Sequence, residues 1–180
     1  MDLALVLIGV AKLFFGLVVG VVGVTVAARM AKRFAGFESI DEGLRSGNVA
    51  LGVVAAGAIL SMALFVQHAV AATFGALDLL RHAHAEASGL AWIGLYAVVH
   101  TGLALGLGAL LIMVGARAFV RLTPDVDEIQ EVHDGNVASA LVLAALWVAL
   151  ALLAQQGVET MLDGLLPIPR LGRDGGVLPG

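Results

Sequence analysis

The chain contains only two asparagines, and each lies in the same tetrapeptide, Gly47-Asn48-Val49-Ala50 and Gly135-Asn136-Val137-Ala138. In both places the tetrapeptide follows a charged segment and opens a long apolar run. Asn48 and Asn136 lie 88 residues apart, and the flanking sequences align at that spacing without a gap. We therefore interpret the chain as one sequence unit that occurs twice.

The composition is that of a membrane protein. Hydrophobic residues make up 60% of the 180 residues and charged residues 13%, with a mean hydropathy of +0.99, whereas a soluble domain is roughly half apolar and a quarter charged. The charges separate four apolar runs, at about residues 3–28, 49–74, 90–116 and 137–158. Each run exceeds the ~20 residues that a helix needs to cross a bilayer. The sequence predicts an all-α, polytopic membrane protein with four transmembrane helices.

Polar coincidences at the 88-residue spacing support the duplication, because apolar identities carry little information in such a chain. A repeat of about residues 3–75 and another of about 90–160 would form one domain, residues 1–160, followed by an irregular tail, residues 161–180. Each repeat contains two spans, so both insert in the same direction and should be related by a pseudo-twofold axis along the membrane normal. The matched pairs are Arg29/Arg117, Arg33/Arg121, Asn48/Asn136, Gln67/Gln155 and Lys12/His100.

The basic residues predict the orientation. Segments 29–47 and 117–135 carry six arginines and lysines, whereas the opposite side carries three, at positions 81, 170 and 173. Basic loops remain in the cytoplasm. We therefore expect segments 29–47 and 117–135 to be cytoplasmic in a bacterial inner membrane, with both termini and the loop around His82 and His84 on the opposite side.

The cytoplasmic segments have the pattern of short amphipathic helices. Gly47 and Gly135 would end these helices in a left-handed conformation, and Asn48 and Asn136 would cap the spans that follow. Thr123-Pro124 is a candidate start for the second surface helix. The apolar residues at helical spacing are Phe34, Phe37, Ile40 and Leu44 in the first segment, and Leu122, Val126, Ile129 and Val132 in the second.

Polar residues within the spans fall on faces rich in small residues, which we expect to point into the bundle. At 1.5 Å per residue, Lys12 lies about 25 Å from Arg29, and Gln67 about 28 Å from Asn48. The sequence thus predicts a polar cluster of Lys12, Gln67, His100 and Gln155 in the outer half of the membrane. The four faces are Gly9, Lys12, Gly16, Gly20 and Gly23; Asn48, Gly52, Ala56, Ala63 and Gln67; Ala97, His100, Ala104 and Gly108; and Asn136, Ala140, Ala144, Ala151, Gln155 and Glu159.

Two interpretations of this cluster stay open. An ionisable residue inside a membrane is costly and by default indicates a functional site. Alternatively, Lys12 extends to the interface and His100 makes a hydrogen bond that holds helices together.

Haem, metal and nucleotide sites have less support in the sequence. His68 and His100 differ in depth, which argues against a bis-histidine haem, and His82, His84 and Glu86 share a side only in an extended strand. Glycines at 102, 106 and 108 lie inside an apolar span, where no phosphate would bind. The absence of cysteine excludes disulfides and thiolate sites. We expect no cofactor, no bound metal, no nucleic-acid partner and no enzymatic activity.

The paired pattern of an amphipathic segment, an asparagine and small residues resembles the YjfL-like bacterial inner-membrane family of unknown function. The residues that carry the resemblance are Asn48-Val49-Ala50-Leu51 and Asn136-Val137-Ala138-Ser139, although the second alanine of that family's signature is replaced in both. The resemblance covers about residues 1–160 and implies four spans in two tandem repeats, without implying an activity.

Two functions follow as expectations. The first is a small oligomeric channel or transporter for an ion or small polar solute, which uses the polar cluster. The second is a non-enzymatic structural or assembly subunit of a larger membrane complex. Besides the lipid bilayer, the expected partners are further copies of the chain or other membrane proteins.

Overall fold

The computed structural model describes residues 3–34, 40–82, 87–122, 127–165, 170–171 and 177–178. Four of its helices are long and apolar enough to cross a membrane, over Leu5–Arg33, Val49–Gly75, Gly94–Arg121 and Val137–Met161. The predicted all-α class with four spans is confirmed. The elements are α1 (Leu3–Phe34), α2 (Ile40–Arg45), α3 (Val49–His82), α4 (Ala87–Leu122), α5 (Glu128–His133), α6 (Val137–Leu165), β1 (Arg170–Leu171) and β2 (Val177–Leu178).

The long helices extend beyond the apolar runs. Helix α1 continues through Arg29 and Arg33, and α4 continues through Arg117 and Arg121, so these arginines lie on the last turns of the spans and not in loops. Alanine, arginine, lysine and methionine favour helix, and positive charge near a helix C-terminus is stabilising. Helix α6 likewise runs to Leu165.

The tail beyond α6 contains one small element in its described part. Strands β1 and β2 pair antiparallel, with Arg170 opposite Leu178 and Leu171 opposite Val177. The other tail residues, from 166 onward, lie outside the described residues.

Helix α3 lies at the centre of the bundle. It packs against α1, α4 and α6, whereas α1 packs against α3 and α4 and has no comparable contact with α6. Half of the most apolar window of α3 is buried, against 6% of that of α1. A twofold relation would match the α3–α4 contact with an equal α1–α6 contact, so the predicted pseudo-twofold arrangement is wrong. Instead, α3 lies against both α4 and α6, and α1 lies at the edge.

Close helix contacts depend on two glycines. A Cβ atom on Gly57 of α3 would lie 2.6 Å from Cβ and 2.7 Å from Cα of Ala144 on α6. Gly115 of α4 leaves the space that the indole of Trp147 occupies. The Trp147 side chain is buried, and its Nε1 donates to the Ile112 carbonyl oxygen at 2.9 Å. Glycine therefore permits the backbone approach that membrane helices need for packing.

The buried hydroxyls of α3 are satisfied within that helix. Ser61 Oγ donates to the Gly57 carbonyl oxygen at 2.7 Å, and Thr73 Oγ1 donates to the Ala69 carbonyl oxygen at 2.8 Å. Both side chains are buried. Because each hydroxyl bonds to the preceding turn, neither depends on another helix for its partner.

The Gly57→Ala variant tests the contact between α3 and α6. Its new methyl group would overlap the Ala144 backbone, so the two helices must separate. We expect a loss of about 1–3 kcal/mol of stability, as in other overpacked interiors, measured by unfolding in detergent–SDS mixtures. Gly102→Ala is the matched control, since a Cβ there has no neighbour within 4 Å. Equal stability of the two variants would contradict this packing.

Candidate functional site

The two tetrapeptides end the surface helices and begin the spans α3 and α6. Gly47 and Gly135 have φ values of +77° and +90°, the left-handed region that favours glycine. The Asn48 amide donates to the Gly43 carbonyl oxygen, and the Asn136 amide to the Glu131 carbonyl oxygen, both at 2.8 Å. These are the hydrogen bonds of a Schellman helix end, and they occur at equivalent positions in both halves.

The asparagine side chains cap the spans. Asn48 Oδ1 accepts from the Leu51 amide at 3.2 Å. Asn136 Oδ1 accepts from the Ala138 amide at 3.0 Å and from the Ser139 amide at 3.4 Å. Each side chain thereby satisfies amide groups in the first turn, which lack a partner within the helix.

The side-chain amides of the two asparagines differ in their acceptors. Asn48 Nδ2 donates to the His133 carbonyl oxygen at 3.0 Å, which ties the start of α3 to the end of α5 in the other half. Asn136 Nδ2 donates to Glu131 Oε2 at 2.7 Å, within its own half. Thus Asn48 bridges the halves at this end of the bundle and Asn136 does not.

The surface helices are held differently in the two halves. Lys32 Nζ donates to Asp41 Oδ2 at 2.6 Å, linking α1 to α2. This hydrogen bond and the lysine charge lower the pKa of the Asp41 carboxyl, but Asp41 is 76% exposed, so the pair contributes little to stability. In the second half, Asp127 Oδ1 accepts from the Gln130 amide and caps α5. The candidate start at Thr123-Pro124 lies outside the described residues.

An apolar contact fixes the level of the polar cluster. Ala69 of α3, Ala104 of α4 and Val158 of α6 belong to one packed group. His68 precedes Ala69 and contacts Gln155, so these two residues lie at one level. Because α4 runs antiparallel to α3 and α6, His100, four residues before Ala104, lies about 6 Å beyond Ala104, towards the C-terminal ends of α3 and α6.

The buried part of the cluster contains a contact between α3 and α6 and a stacked pair on α4. The side-chain amide of Gln155 hydrogen-bonds to the Nε2 atom of His68. The His100 ring is fully buried and stacks on Tyr96, with the ring centroids 3.8 Å apart. Sequence reasoning paired Gln155 with Gln67 by position in the repeat, but the structure brings Gln155 to His68. The only signal was that His68 adjoins Gln67 in the sequence.

The other two predicted residues, Lys12 and Gln67, are exposed on the outside of the bundle. The Lys12 ammonium lies 5.2 Å from the centroid of the Phe74 ring, within the range of a cation–π interaction. The Phe74 ring also packs edge-on against Phe15, with centroids 5.6 Å apart. The predicted cluster is therefore divided between the bundle interior and its lipid-facing surface.

A groove of about 380 Å³ lies between α1 and α3. Gln67 lines it together with Ala63, Met62 and the glycines of α1 at positions 16, 20 and 23. The small-residue faces of α4 and α6 are largely buried, as expected, but that of α3 is exposed at Ala56, Ala63 and Gln67. The inward orientation predicted for this face of α3 is wrong, because the opposite, bulkier face of the helix packs against the second half.

The loop candidates cannot be placed. His84 and Glu86 lie outside the described residues, and His82 is the last residue of α3. Among the described residues, no group of three histidine or acidic side chains is arranged to hold a metal ion.

A comparison of two single variants tests the unequal roles of the asparagines. Asn136→Ala loses a helix cap, worth about 1 kcal/mol, and a hydrogen bond to the partly exposed Glu131 side chain of its own half, where water can replace the lost donor. Asn48→Ala loses a cap and also the hydrogen bond to the His133 carbonyl, worth roughly 0.5–1.5 kcal/mol more. We expect Asn48→Ala to be the less stable variant in detergent unfolding. Equal losses would show that the bridge to α5 does not stabilise the fold.

Comparison with known proteins gives a family and no closer relative. No curated protein and no solved structure matches the chain. The family model described as a Domain of Unknown Function (DUF350) matches residues 3–158, which include the first three spans, most of the fourth and both tetrapeptides. The chain is thus a multi-pass membrane protein that belongs to the DUF350 family.

Proposed function

We propose that the protein passes a small polar solute or ion across a bacterial inner membrane, and that it does so without enzymatic activity. The observation that carries this proposal is the polar layer of His68, Gln155 and His100. His68 and Gln155 contact each other between α3 and α6, and the buried His100 lies on α4 within about one helical turn of the level of Ala69 and Ala104. Polar and ionisable groups at membrane depth are costly and typically mark solute or proton pathways.

Two interactions of the layer are distinct. The hydrogen bond between Gln155 and His68 would hold α3 to α6 in the way that polar residues hold membrane helices together. The fully buried imidazole of His100 lies on α4 and stacks on Tyr96 of the same helix. Histidine is also the side chain whose charge changes most readily near neutral pH, which suits a proton-linked step.

The packing argues for a route beside the bundle axis. Trp147, Ile112 and Leu143 are fully buried and fill the bundle on the side nearer the basic helix ends. Lys12 and Gln67 lie on the outside of the bundle, Gln67 next to His68 in the sequence and Lys12 beside Phe74, about two turns further along α3. We therefore place the route between copies of the chain, where the exposed polar pair would complete the layer.

The proposal includes an orientation, with segments 29–47 and 117–135 in the cytoplasm and both termini opposite. The α3–α5 hydrogen bond brings these two segments to the same end of the bundle. Together they hold six of the chain's ten basic residues, as expected for a cytoplasmic side.

The proposal also treats the halves as copies of one unit and retains the YjfL-like assignment. Helices α2 and α5 begin and end 88 residues apart, at 40–45 and 128–133. Both positive-φ glycines and both Schellman hydrogen bonds recur at that spacing. Such agreement is expected of a duplicated unit and not of two unrelated helix pairs.

A second candidate is a structural or assembly subunit of a membrane complex. The specific observation in its favour is the groove between α1 and α3, which is open and largely apolar. Under this alternative the polar layer only fixes the register of the helices.

Cysteine labelling tests the orientation, because the chain has no native cysteine. Glu42→Cys on α2 is outside the spans and exposed. We expect a membrane-impermeant maleimide to label it in inside-out vesicles and not in intact spheroplasts. Labelling in spheroplasts would reverse the proposed orientation.

Flux through reconstituted protein tests the function. We expect liposomes that contain the protein to dissipate a proton or potassium gradient in a pH-dependent manner, as followed with fluorescent dyes. His100→Phe keeps a ring to stack on Tyr96 but removes both ring nitrogens, and should lower the flux at least tenfold, about 1.4 kcal/mol of barrier.

His133→Phe is the matched control, since His133 lies in the surface helix α5 and should leave the flux unchanged. If the wild-type protein gives no flux beyond empty liposomes and His100→Phe is more stable, the layer is structural and the second candidate is favoured.

A further inference from the structure

The second half of the chain contains a groove that is filled from within the chain. Helix α3 lies against both α4 and α6. Its Ala69 packs with Ala104 of α4. Its Met62 and Phe65 occupy the space above Gly108, where an added Cβ would lie 2.7 Å from the Met62 sulfur. Within a single chain, α3 thus fills the groove between α4 and α6.

The equivalent groove in the first half is open. The positions 88 residues before Ala104 and Gly108 are Gly16 and Gly20, which line the 380 Å³ groove between α1 and α3. An added Cβ at either glycine has no neighbour within 4 Å.

A second concavity lies on α3 nearer to the surface helix α2. It has a volume of about 400 Å³ and is lined by Leu44, Asn48, Gly52 and Ala56. Leu44 is 52% exposed, whereas its equivalent in the second half, Val132, is 0% exposed. The helix that covers Val132 in the second half is α3, which packs against α5. The first half has no corresponding cover among the described residues.

The face that would fill such a groove is present on α6. The residues of α3 that face the second half include Val54, which is fully buried, and Phe65, which is 2% exposed. Their equivalents on α6 are Val142, 56% exposed, and Leu153, 81% exposed. At the position equivalent to Ala69, α6 carries Gly157, where a Cβ meets nothing within 4 Å.

The residues that contact each other between the two halves also have equivalents, 88 positions away in the sequence, that are exposed. His68 and Gln155 touch within the chain, and the equivalent pair, Gln156 and Gln67, is exposed at both positions. Gly57 and Ala144, where α3 and α6 approach closely, correspond to Ala145 and Ala56, which are both small and exposed. Exposed apolar residues are ordinary on a lipid-facing surface, so the correspondence of groove, face and polar positions carries the argument.

We propose that α6 of a second copy of the chain occupies the groove between α1 and α3, and so repeats between chains the packing that α3 makes within one chain. The surfaces joined are different ones, so the contact is head-to-tail. Repetition of the same step closes a ring, or leaves an open row if the rotation does not close. The inference does not depend on whether the protein transports a solute, because it rests on packing alone.

Single-cysteine variants test this interface in the cysteine-free chain. Ala56→Cys and Ala145→Cys, each in a copy with its own tag, are co-expressed in one membrane and treated with an oxidant. We expect a disulfide-linked dimer that carries both tags. Either variant expressed alone should give no such dimer, since a head-to-tail contact brings position 56 to position 145 and not to itself.

A second variant tests the groove itself. Gly20→Leu places a large side chain in the groove at a position where an added Cβ meets no atom within 4 Å. Gly102→Leu is the matched control, since Gly102 is exposed outside the groove and a Cβ there also has no neighbour within 4 Å. We expect Gly20→Leu to remain folded, to abolish the mixed disulfide and to shift the native mass from oligomer to monomer. Gly102→Leu should retain the wild-type oligomer.

Three results would overturn the proposal. Equal disulfide formation by one variant alone would indicate a twofold contact. A wild-type native mass of one chain with bound lipid would show that lipid fills the groove. A different polypeptide that co-purifies in fixed ratio and is lost in Gly20→Leu would show another occupant. A loss of flux with the mixed disulfide intact would leave this interface standing and reject only the transport function.

Discussion

The structure depends on the close approach of α3 to the helices of the second half. In a bilayer no hydrophobic force draws one apolar helix to another, so association relies on van der Waals contact and on hydrogen bonds between helices. Gly57 and Gly108 allow α6 and the Met62 side chain to come within contact distance of their neighbours. Trp147, the Gln155–His68 pair and the Asn48 bridge all lie between elements whose separation this approach sets.

The sequence predicts the helices and their ends because these follow from local physics. Span length, the left-handed glycines and the asparagine caps all depend on residues within a few positions of one another. The arrangement of the helices was less predictable. Both faces of α3 are apolar, and lipid and protein both accept apolar residues, so no polarity pattern shows which face is buried. The expectation that small residues point into the bundle predicted that Ala56 and Ala63 are buried. In the structure, the bulky face of α3 that includes Phe65 packs into the groove of the second half instead.

The arrangement of the candidate site was predictable only in part. Counting residues from the basic helix ends placed Lys12, Gln67, His100 and Gln155 at one level, whereas Lys12 lies beside Phe74, about two turns beyond Gln67 on α3. Repeat symmetry matched Gln67 with Gln155, whereas the packing of α3 against the second half brings His68 to Gln155. A one-residue step along a helix turns a side chain by about 100°, which is why His68 contacts Gln155 while the adjacent Gln67 is exposed.

The hydroxyls of Ser61 and Thr73 bear on how such a protein is made. Both donate to carbonyls of the preceding turn of α3, so these two hydroxyls are satisfied within the helix. During synthesis α3 enters the membrane before α4 and α6 exist, with α1 as the one preceding span among the described helices. An intrahelical hydroxyl bond loses nothing during that interval, whereas a serine that needed an acceptor on α6 would meet hydrocarbon in the meantime. The helix at the centre of the finished bundle is thus also suited to inserting before α4 and α6, the partners that later pack against it.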